Sequence, residues 1–237
     1  LQYTVANLAN VLYVNRPDIG QLYVAEAGNS FAALPNKDSD WSCQVLRGFK
    51  DFLIALNVSK AGVNQSNLVK WSNAALNGQV PSDWDYTLAK NPESLAGENP
   101  IAEMYGPITD GLALGDLFIV YGRNETWSMT YTGDGSSIFT FRRLFGEGSR
   151  GANCAVEVNG THFVFGEKRL FAHDGTTITP IMAQTNARRV YQRVDTTRQE
   201  MCFVTHDVDR TLVLFCYPTT GSVGCNEAFA YNYATET

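Results

Sequence analysis

Hydrophobic residues occur along most of the chain in short runs, and turn-forming residues separate one run from the next. Between residues 111 and 179 these runs are too short for helices and are rich in β-branched and aromatic residues, which is typical of antiparallel strands. The runs are Leu117–Tyr121, Trp127–Tyr131, Ile138–Phe141, Cys154–Val158 and His162–Phe165. Asn159 and Gly160 separate the last two, and both tolerate the positive φ of a type I′ turn. We therefore predict five strands and a tight turn at Asn159-Gly160.

The strand pattern is interrupted in two places. Residues 73–99 are heavy in Gly, Pro, Asn, Asp and Ser, so we interpret them as a long surface loop insertion that carries contacts. Residues 186–195 have helical spacing, because four apolar side chains recur at i, i+3, i+4 and i+7. These four are Ala187, Val190, Tyr191 and Val194. We predict one short helix here, capped by Thr185 or Asn186.

Four segments repeat one order of elements: a short strand, a turn, a strongly apolar strand, a polar loop and a third strand with an aromatic residue. Their central strands begin near Phe52, Leu117, His162 and Leu212, at spacings close to 65, 45 and 50 residues by subtraction. Units of this size are typical of β-propeller blades. A β-sandwich also forms hairpins at even spacing, but the repeated order and the helix between units favour the propeller. We predict an all-β fold: one β-propeller region over 1–237, with four to five blades and incomplete.

Composition restricts the function classes. The chain has 237 residues, 44% of them hydrophobic, and a formal net charge of −6. Because the net charge is negative, we do not expect nucleic-acid binding through a basic surface. No apolar run reaches the length of a transmembrane helix. The sequence shown starts at Leu1 with no signal-peptide pattern and stops after an apolar run, so we interpret both ends as cuts through a longer polypeptide.

The five cysteines, Cys43, Cys154, Cys202, Cys216 and Cys225, are widely spaced and form no C-x-x-C pair. We therefore expect neither a disulfide framework nor a zinc site, and interpret them as small apolar residues in a reducing cell. Four N-x-S/T sequons occur, and without a secretory signal they are interpreted as turn chemistry. The four are Asn57, Asn64, Asn124 and Asn159.

No catalytic constellation is apparent. The chain lacks a G-x-S-x-G elbow, a P-loop and an H-E-x-x-H motif. We interpret His162, His173 and His206 as turn-stabilising residues rather than metal ligands or bases. A glycosidase would need two converging carboxylates, and sequence alone does not place any pair opposite each other. The carboxylates considered are Asp110, Asp116, Glu125, Asp134 and Glu147. We expect no enzymatic activity and no catalytic, cofactor-binding or metal-binding residues.

Arginine is the informative charged residue, with twelve Arg against six Lys. Arg150 lies near one strand, and Arg198 and Arg210 follow the predicted helix. One interpretation is a solvated helix face paired to Asp195 and Glu200. The other is a protein–protein contact, where Arg is favoured because its guanidinium pairs carboxylates through two hydrogen bonds. The candidate subunit-interface residues are Arg142, Arg143, Arg188, Arg189 and Arg193.

Several segments, taken in order, resemble the tail nozzle proteins of short-tailed bacteriophages, also called tail tubular or stabilisation proteins. The resemblance covers about residues 8–233 and depends on ordered pattern rather than on a catalytic signature. The segments that carry it are residues 51–58, 67–73, 80–85, 95–99, 108–133, 139–145 and the His-Asp-Gly turn at 173–175.

The resemblance implies a propeller with insertions that assembles as a hexameric ring below the portal and adaptor, contacts tail fibre proteins and forms a channel through which DNA is ejected. It implies no catalytic residues and no cofactor. The chain would be a structural virion protein of the tail, made in the host bacterial cytoplasm, and the segment would not insert into a membrane. The alternatives are a propeller enzyme acting on glycans and a generic propeller interaction module.

Overall fold

The structure is a computed structural model that describes residues 3–24, 30–37, 40–85, 87, 92–134, 137–182 and 184–237. In these residues the chain forms antiparallel sheets in which consecutive strands are neighbours. Sequential pairing requires only short turns, which agrees with the alternation of apolar runs and turn residues. The fold is therefore all-β, as predicted.

The first two sheets follow one another along the chain. Sheet 1 contains β1 (Thr4–Leu8), β2 (Val11–Arg16), β3 (Gly20–Val24) and β4 (Ala32–Ala33). Sheet 2 contains β5 (Trp41–Phe49), β6 (Phe52–Lys60), β7 (Val63–Trp71) and β8 (Gly97–Pro100). In β1 and β2 buried and exposed side chains alternate, whereas the first seven residues of β6 are all buried. A strand covered on both faces loses the alternation, which is why β6 is apolar from Phe52 to Val58 except at Asn57, whose side-chain amide donates to the Ile108 carbonyl at 2.9 Å.

The remaining sheets repeat this arrangement. Sheet 3 contains β9 (Ile108–Leu114), β10 (Leu117–Gly122), β11 (Thr126–Asp134) and β12 (Ser137–Phe145). Sheet 4 contains β13 (Ala155–Val158), β14 (Thr161–Phe165), β15 (Leu170–His173) and β16 (Ile178–Pro180). Sheet 5 contains β17 (Phe203–Asp207), β18 (Leu212–Tyr217) and β19 (Glu227–Asn232). The apolar runs predicted as strands between residues 111 and 179 all lie in or overlap β10 to β14.

The turn at Asn159-Gly160 is confirmed. Val158 pairs with Thr161, and the two residues between them have φ of 52° and 77°. Positive φ at both central positions defines the type I′ turn that Asn-Gly favours. The Gly160 N–H donates to Glu157 Oε1 at 2.7 Å, so the side chain before the turn also holds its backbone.

The short helix is confirmed near residues 186–195, with each end two residues earlier in the chain, but the predicted cap was wrong. Helix α1 spans Gln184–Arg193, and a 3₁₀ helix follows at Thr196–Met201. Thr185 and Asn186 therefore lie inside α1 rather than at its cap. The helix ends earlier than predicted because Val194 forms an isolated β-bridge with Thr219. Neither helix in the described part of the chain has the length and apolar character needed to cross a membrane.

The segment 73–99 differs from the predicted surface loop. Its last three residues belong to β8, which pairs with β7. Trp84, near its middle, is fully buried, and Ala75 is 7% exposed. Residues 86 and 88–91 of this segment lie outside the described residues. Because an irregular backbone has no periodic pattern, the sequence did not show which of its side chains enter the core.

Contacts divide the chain into two compact units. Unit 1 comprises residues 1–111 and 130–141, and unit 2 comprises residues 112–129 and 142–237. A core cluster of unit 1 lies between sheets 1 and 2 and includes Tyr13, Trp41 and Trp84. In unit 2, one cluster joins sheets 4 and 5 with α1, and a smaller one includes Tyr121 and Phe171.

Candidate functional site

The five arginines predicted as interface residues lie on two elements of the structure. Arg142 and Arg143 are exposed on β12, and the other three are exposed on α1. Arg143 has a partner in its own unit, since its Nε lies 3.2 Å from Oε2 of the buried Glu125. That carboxylate also accepts a hydrogen bond from Trp127 Nε1 at 3.0 Å, so its position is fixed.

Helix α1 presents its arginines on a rigid support. Ala187, Val190 and Val194 are buried in the core of unit 2. The Tyr191 hydroxyl donates to the Gly166 carbonyl at 2.8 Å, and its ring lies 5.7 Å from that of Phe165. The opposite face therefore points outward with a fixed orientation.

The outward face of α1 carries arginines but no carboxylate. Arg188 and Arg189 are exposed, and the helix sequence contains no acidic residue. Arg193 forms an ion pair with Glu227. Asp195, considered in one of the two interpretations as a partner of this face, caps the 3₁₀ helix and accepts from Thr197 N–H at 2.9 Å.

Arg150 is a structural residue rather than a surface one. It is 5% exposed, and its guanidinium lies 5.3 Å from the Phe165 ring centre and 5.2 Å from that of Tyr191. Its NH2 group donates to the Glu167 carbonyl at 3.1 Å. Stacking on aromatic faces stabilises a guanidinium withdrawn from water. Arg150 therefore stabilises the packing of Tyr191 of α1 beside Phe165.

A second set of ion pairs links turns at equivalent positions of successive hairpins. Gly122 ends β10 and Arg123 follows it, and Gly166-Glu167 follows β14. Arg123 NH1 lies 3.3 Å from Glu167 Oε1. Opposite charges thus occupy the same position of two repeats and pair with each other. Arg169 NH2 similarly lies 2.8 Å from Glu147 Oε1.

The carboxylates considered for glycoside hydrolysis have structural surroundings. Buried Asp110 accepts from Arg47 Nε at 3.0 Å and from Arg47 NH2 at 2.9 Å. Glu125 and Glu147 pair with arginines as described, Asp116 is exposed in a hairpin turn, and Asp134 is exposed at the end of β11. The five cysteines are free thiols. No group of three or more His, Cys, Asp or Glu side chains suited to a metal ion occurs among the described residues.

His162 and His173, which were interpreted from the sequence as turn-stabilising residues, lie together in the core of unit 2. Tyr121 Oη lies 2.8 Å from His162 Nδ1 and 2.6 Å from His173 Nε2. All three side chains are at most 2% exposed. Tyr121 precedes the histidines by 41 and 52 residues, and no spacing rule connects positions so far apart on different sheets.

The outer contacts of this group fix the direction of every hydrogen bond. His162 Nε2 lies 2.8 Å from the Ala113 carbonyl, which only accepts, so Nε2 carries the proton and Nδ1 accepts from the Tyr121 hydroxyl. His173 Nδ1 accepts from Gly175 N–H at 3.2 Å, so Nε2 carries its proton and donates to Tyr121 Oη. The chain runs from Gly175 through His173, Tyr121 and His162 to Ala113, with both imidazoles neutral.

Burial enforces the neutral state. It lowers the pKa of His162 from 6.5 to about 4 and, together with the neighbouring His162, lowers that of His173 to about 3. A protonated imidazole has two donors and no acceptor, so it would break the chain at either position. The third histidine, His206, lies apart from this group, with Nε2 3.0 Å from the Tyr233 hydroxyl.

Comparison with known proteins identifies the fold class. No protein-family model and no curated protein matches the sequence. The chain is similar in structure to the extracellular domain of the putative one component system BT4673 from B. thetaiotaomicron, with a TM-score of 0.55 at 8% identity over 98% of this chain. It is also matched to Hsv2 from Kluyvelomyces marxianus, with a TM-score of 0.38 at 11% identity over 98% of this chain.

The chain spans only 26% of the length of the first of these proteins and 61% of the second. At such low identity the first likeness shows the fold alone. Together with the five antiparallel sheets, it identifies the class as an all-β, five-bladed β-propeller. The prediction of a propeller with four to five blades is confirmed.

Proposed function

We propose that this chain is a non-enzymatic structural protein and forms part of the tail nozzle of a short-tailed bacteriophage. The resemblance to that family runs over about residues 8–233 and is carried by ordered sequence segments, and the propeller fold agrees with what the resemblance implies. In this proposal the protein forms a homo-oligomeric ring, contacts portal, adaptor and tail fibre proteins, and belongs to the virion tail.

The main support for a structural role is that the buried charged and imidazole side chains are engaged in bonds that hold the fold together. Each buried Asp, Glu, His, Lys and Arg side chain in the described residues makes a structural bond within its own unit. Lys70 donates to the Trp84 carbonyl, and the partners of the others have been given above. They are Lys70, Asp110, Glu125, Arg150, His162, His173 and Asp195. Groups held in this way stabilise a rigid scaffold, whereas catalytic acids and bases must change protonation or partner during a reaction.

The arginine face of α1 supports assembly. Arg188 and Arg189 project from a helix whose other face is packed into the core, so little backbone conformational entropy is lost when they bind. Arginine is enriched in protein interfaces because it pairs carboxylates through two bonds. We propose that this face, with Arg142 and Arg143 on β12, contacts acidic surface on neighbouring subunits.

The negative net charge of the chain supports a channel through which DNA passes rather than a site that binds DNA tightly. A net charge of −6 repels phosphate on average. In the proposed nozzle, DNA passes through the channel without a tight binding site.

Assembly of the full-length protein tests this proposal. We expect six-fold rings by negative-stain electron microscopy after mixing with portal and adaptor. Reversing two charges, with Arg188→Glu and Arg189→Glu together, should reduce ring formation at least tenfold. Arg210→Glu is the control, because the Arg210 side chain is 78% exposed and its guanidinium forms an ion pair with Asp207 of the same turn region.

Three results would contradict the proposal. A protein that stays monomeric with portal and adaptor but binds another protein would indicate a generic interaction module. Release of reducing sugar from glycans would indicate the enzyme alternative. If the α1 variant and the Arg210 control lost ring formation to the same extent, the result would show that the arginines of α1 have no specific role in the subunit interface.

A further inference from the structure

The outer edge of sheet 5 differs from the outer edges of the other sheets. Among the described residues sheet 5 has three strands, whereas sheets 1 to 4 each have four. The last strands of sheets 1, 2 and 4 have two to four residues, and β8 and β16 end at prolines. Sheet 3 ends in β12, which carries the exposed Arg142 and Arg143. Short strands, prolines and charges protect an edge from pairing, whereas β19 has six residues and contains neither Pro nor Lys.

The backbone of β19 has hydrogen-bonding groups on that outer edge. In an antiparallel strand the N–H and C=O of one residue point to the same side, and successive residues alternate between sides. Tyr233 N–H donates to the Thr211 carbonyl at 3.2 Å, on the side of β18. By alternation the backbone of Tyr231 also faces β18, and the backbones of Ala228 and Ala230 face outward. Both alanines are exposed, and no described strand lies along that edge.

The aromatic side chains of β19 and of the residue after it are incompletely covered. Phe229, Tyr231 and Tyr233 pack against the core of unit 2 but are only partly buried. The Phe229 ring lies 6.2 Å from that of the buried Phe215, and the Tyr231 ring lies 5.9 Å from that of Phe163. A further strand beside β19 would cover more of this apolar surface, which favours its binding.

The segment after β19 folds back onto the same edge. Asn232 N–H donates to the Thr237 carbonyl at 2.7 Å, and Thr237 N–H donates to the Asn232 carbonyl at 3.2 Å. Two residues that exchange both bonds form a hydrogen-bonded pair of an antiparallel ladder. Asn232 Oδ1 accepts from the N–H groups of Ala234 and Thr235 at 3.0 and 3.1 Å. Glu236 has φ of 57°, and four-residue loops of this kind are common hairpin connections. Thr237 therefore directs the backbone back along β19.

We propose that the outer edge of β19 binds an extended strand in the antiparallel direction, and that this strand is the polypeptide continuing from Thr237 in the full-length protein. The second residue after Thr237 then lies opposite Ala230, and the fourth lies opposite Ala228. Both are hydrogen-bonded pairs, so the strand satisfies the outward N–H and C=O groups. Its first and third residues lie beside Tyr231 and Phe229, where we expect apolar side chains. The edge is independent of the proposed nozzle function.

Amide hydrogen exchange in the full-length protein tests whether this edge is paired. The N–H groups of Phe229 and Tyr231 face β18 and serve as internal references. If a strand covers the edge, Ala228 and Ala230 should exchange within about tenfold of the references, after correction for intrinsic rates. Faster exchange of both alanines than this would show an open edge and overturn the proposal. No variant is needed for this measurement.

A cysteine pair tests which strand occupies the edge. Residues of a hydrogen-bonded pair have Cα atoms about 5.5 Å apart, which suits a disulfide. Ala230→Cys with a cysteine at the second residue after Thr237 should therefore form an intramolecular disulfide with oxidised glutathione, detected by peptide mass spectrometry. The control keeps Ala230→Cys and moves the other cysteine to the fourth residue after Thr237. That pair is two residues out of register, so its yield should be at most about a tenth.

Two results of the cysteine experiment would contradict the proposal. A disulfide that joins Cys at position 230 of two copies would identify a second copy as the occupant. Equal yields for the second and fourth positions would show that the segment after Thr237 has no fixed register on β19.

Discussion

Unit 1 and unit 2 each bury a tyrosine completely, but they treat its hydroxyl differently. Tyr121 in unit 2 accepts from one histidine and donates to another, inside a chain that begins and ends on backbone groups. Tyr13 in unit 1 is equally buried, and its hydroxyl has no partner among the described residues. Burial and an adjacent Tyr23 raise the pKa of Tyr13 to about 12, so it stays protonated and neutral.

The difference shows that burial alone does not predict what a polar group contributes to stability. A hydroxyl inside a complete network contributes favourably, and its removal leaves two other groups unsatisfied. An unpartnered hydroxyl already carries its desolvation cost, and its removal relieves that cost. The same comparison extends to charge, since the Tyr121–His162–His173 chain of unit 2 is neutral, whereas the core of unit 1 contains the buried ammonium group of Lys70.

The largest expected effect is acid sensitivity of unit 2. Below pH 6.5 the unfolded chain binds protons at His162 and His173, whereas the folded chain does not until the pH reaches about 4 and 3. Stability is therefore lost as the pH falls through this window, at up to about 1.4 kcal/mol per pH unit for each histidine. Urea unfolding at pH 7, 6 and 5 should show a total loss of about 4 kcal/mol by pH 5.

His173→Gln provides the control for that measurement. The glutamine amide can still donate to Tyr121 but does not titrate, so about half of the pH dependence should disappear. A slope that is unchanged in this variant would show that other groups cause the acid sensitivity.

Tyr121→Phe should have the next largest effect. It leaves the His162 Nδ1 acceptor and the His173 Nε2 donor unpaired in the core, at about 1–3 kcal/mol each. We expect the free energy of unfolding to fall by about 3 kcal/mol in urea titrations at pH 7. A loss below about 1 kcal/mol would mean that the imidazoles find other partners and that the chain contributes little.

A smaller effect is expected at the Asn159-Gly160 turn, which tests local backbone strain in unit 2 instead of its polar network. Gly160 has φ of 77°, and nothing lies within 4 Å of an added Cβ. Gly160→Val should therefore lower stability by about 1–2 kcal/mol through strain alone. Gly224→Val is the control, since Gly224 has equal space without a positive φ. Equal changes in melting temperature for the two variants would exclude strain as the cause.

A feature could be predicted from the sequence when the residues that form it lie close together along the chain. The Asn159-Gly160 turn is specified by two adjacent residues, and the exposed Arg188 and Arg189 follow from helical spacing within one turn. The Tyr121–His162–His173 chain was missed, because its members lie on three strands and carry no local signal. Trp84 was missed for a related reason, since an irregular segment has no periodicity to distinguish a buried side chain from an exposed one.

Tyr13→Phe should have the smallest effect and the opposite sign to Tyr121→Phe. The two substitutions remove the same atom from fully buried rings, so differences in ring packing and in the unfolded state largely cancel. Because the Tyr13 hydroxyl has no partner in the described core, its removal should leave stability unchanged or raise it by up to about 1 kcal/mol. Urea unfolding of both variants at pH 7 measures the contrast directly. A loss of 2 kcal/mol or more for Tyr13→Phe would show that this hydroxyl has a bound acceptor, and the unit 1 core would then be as fully satisfied as that of unit 2.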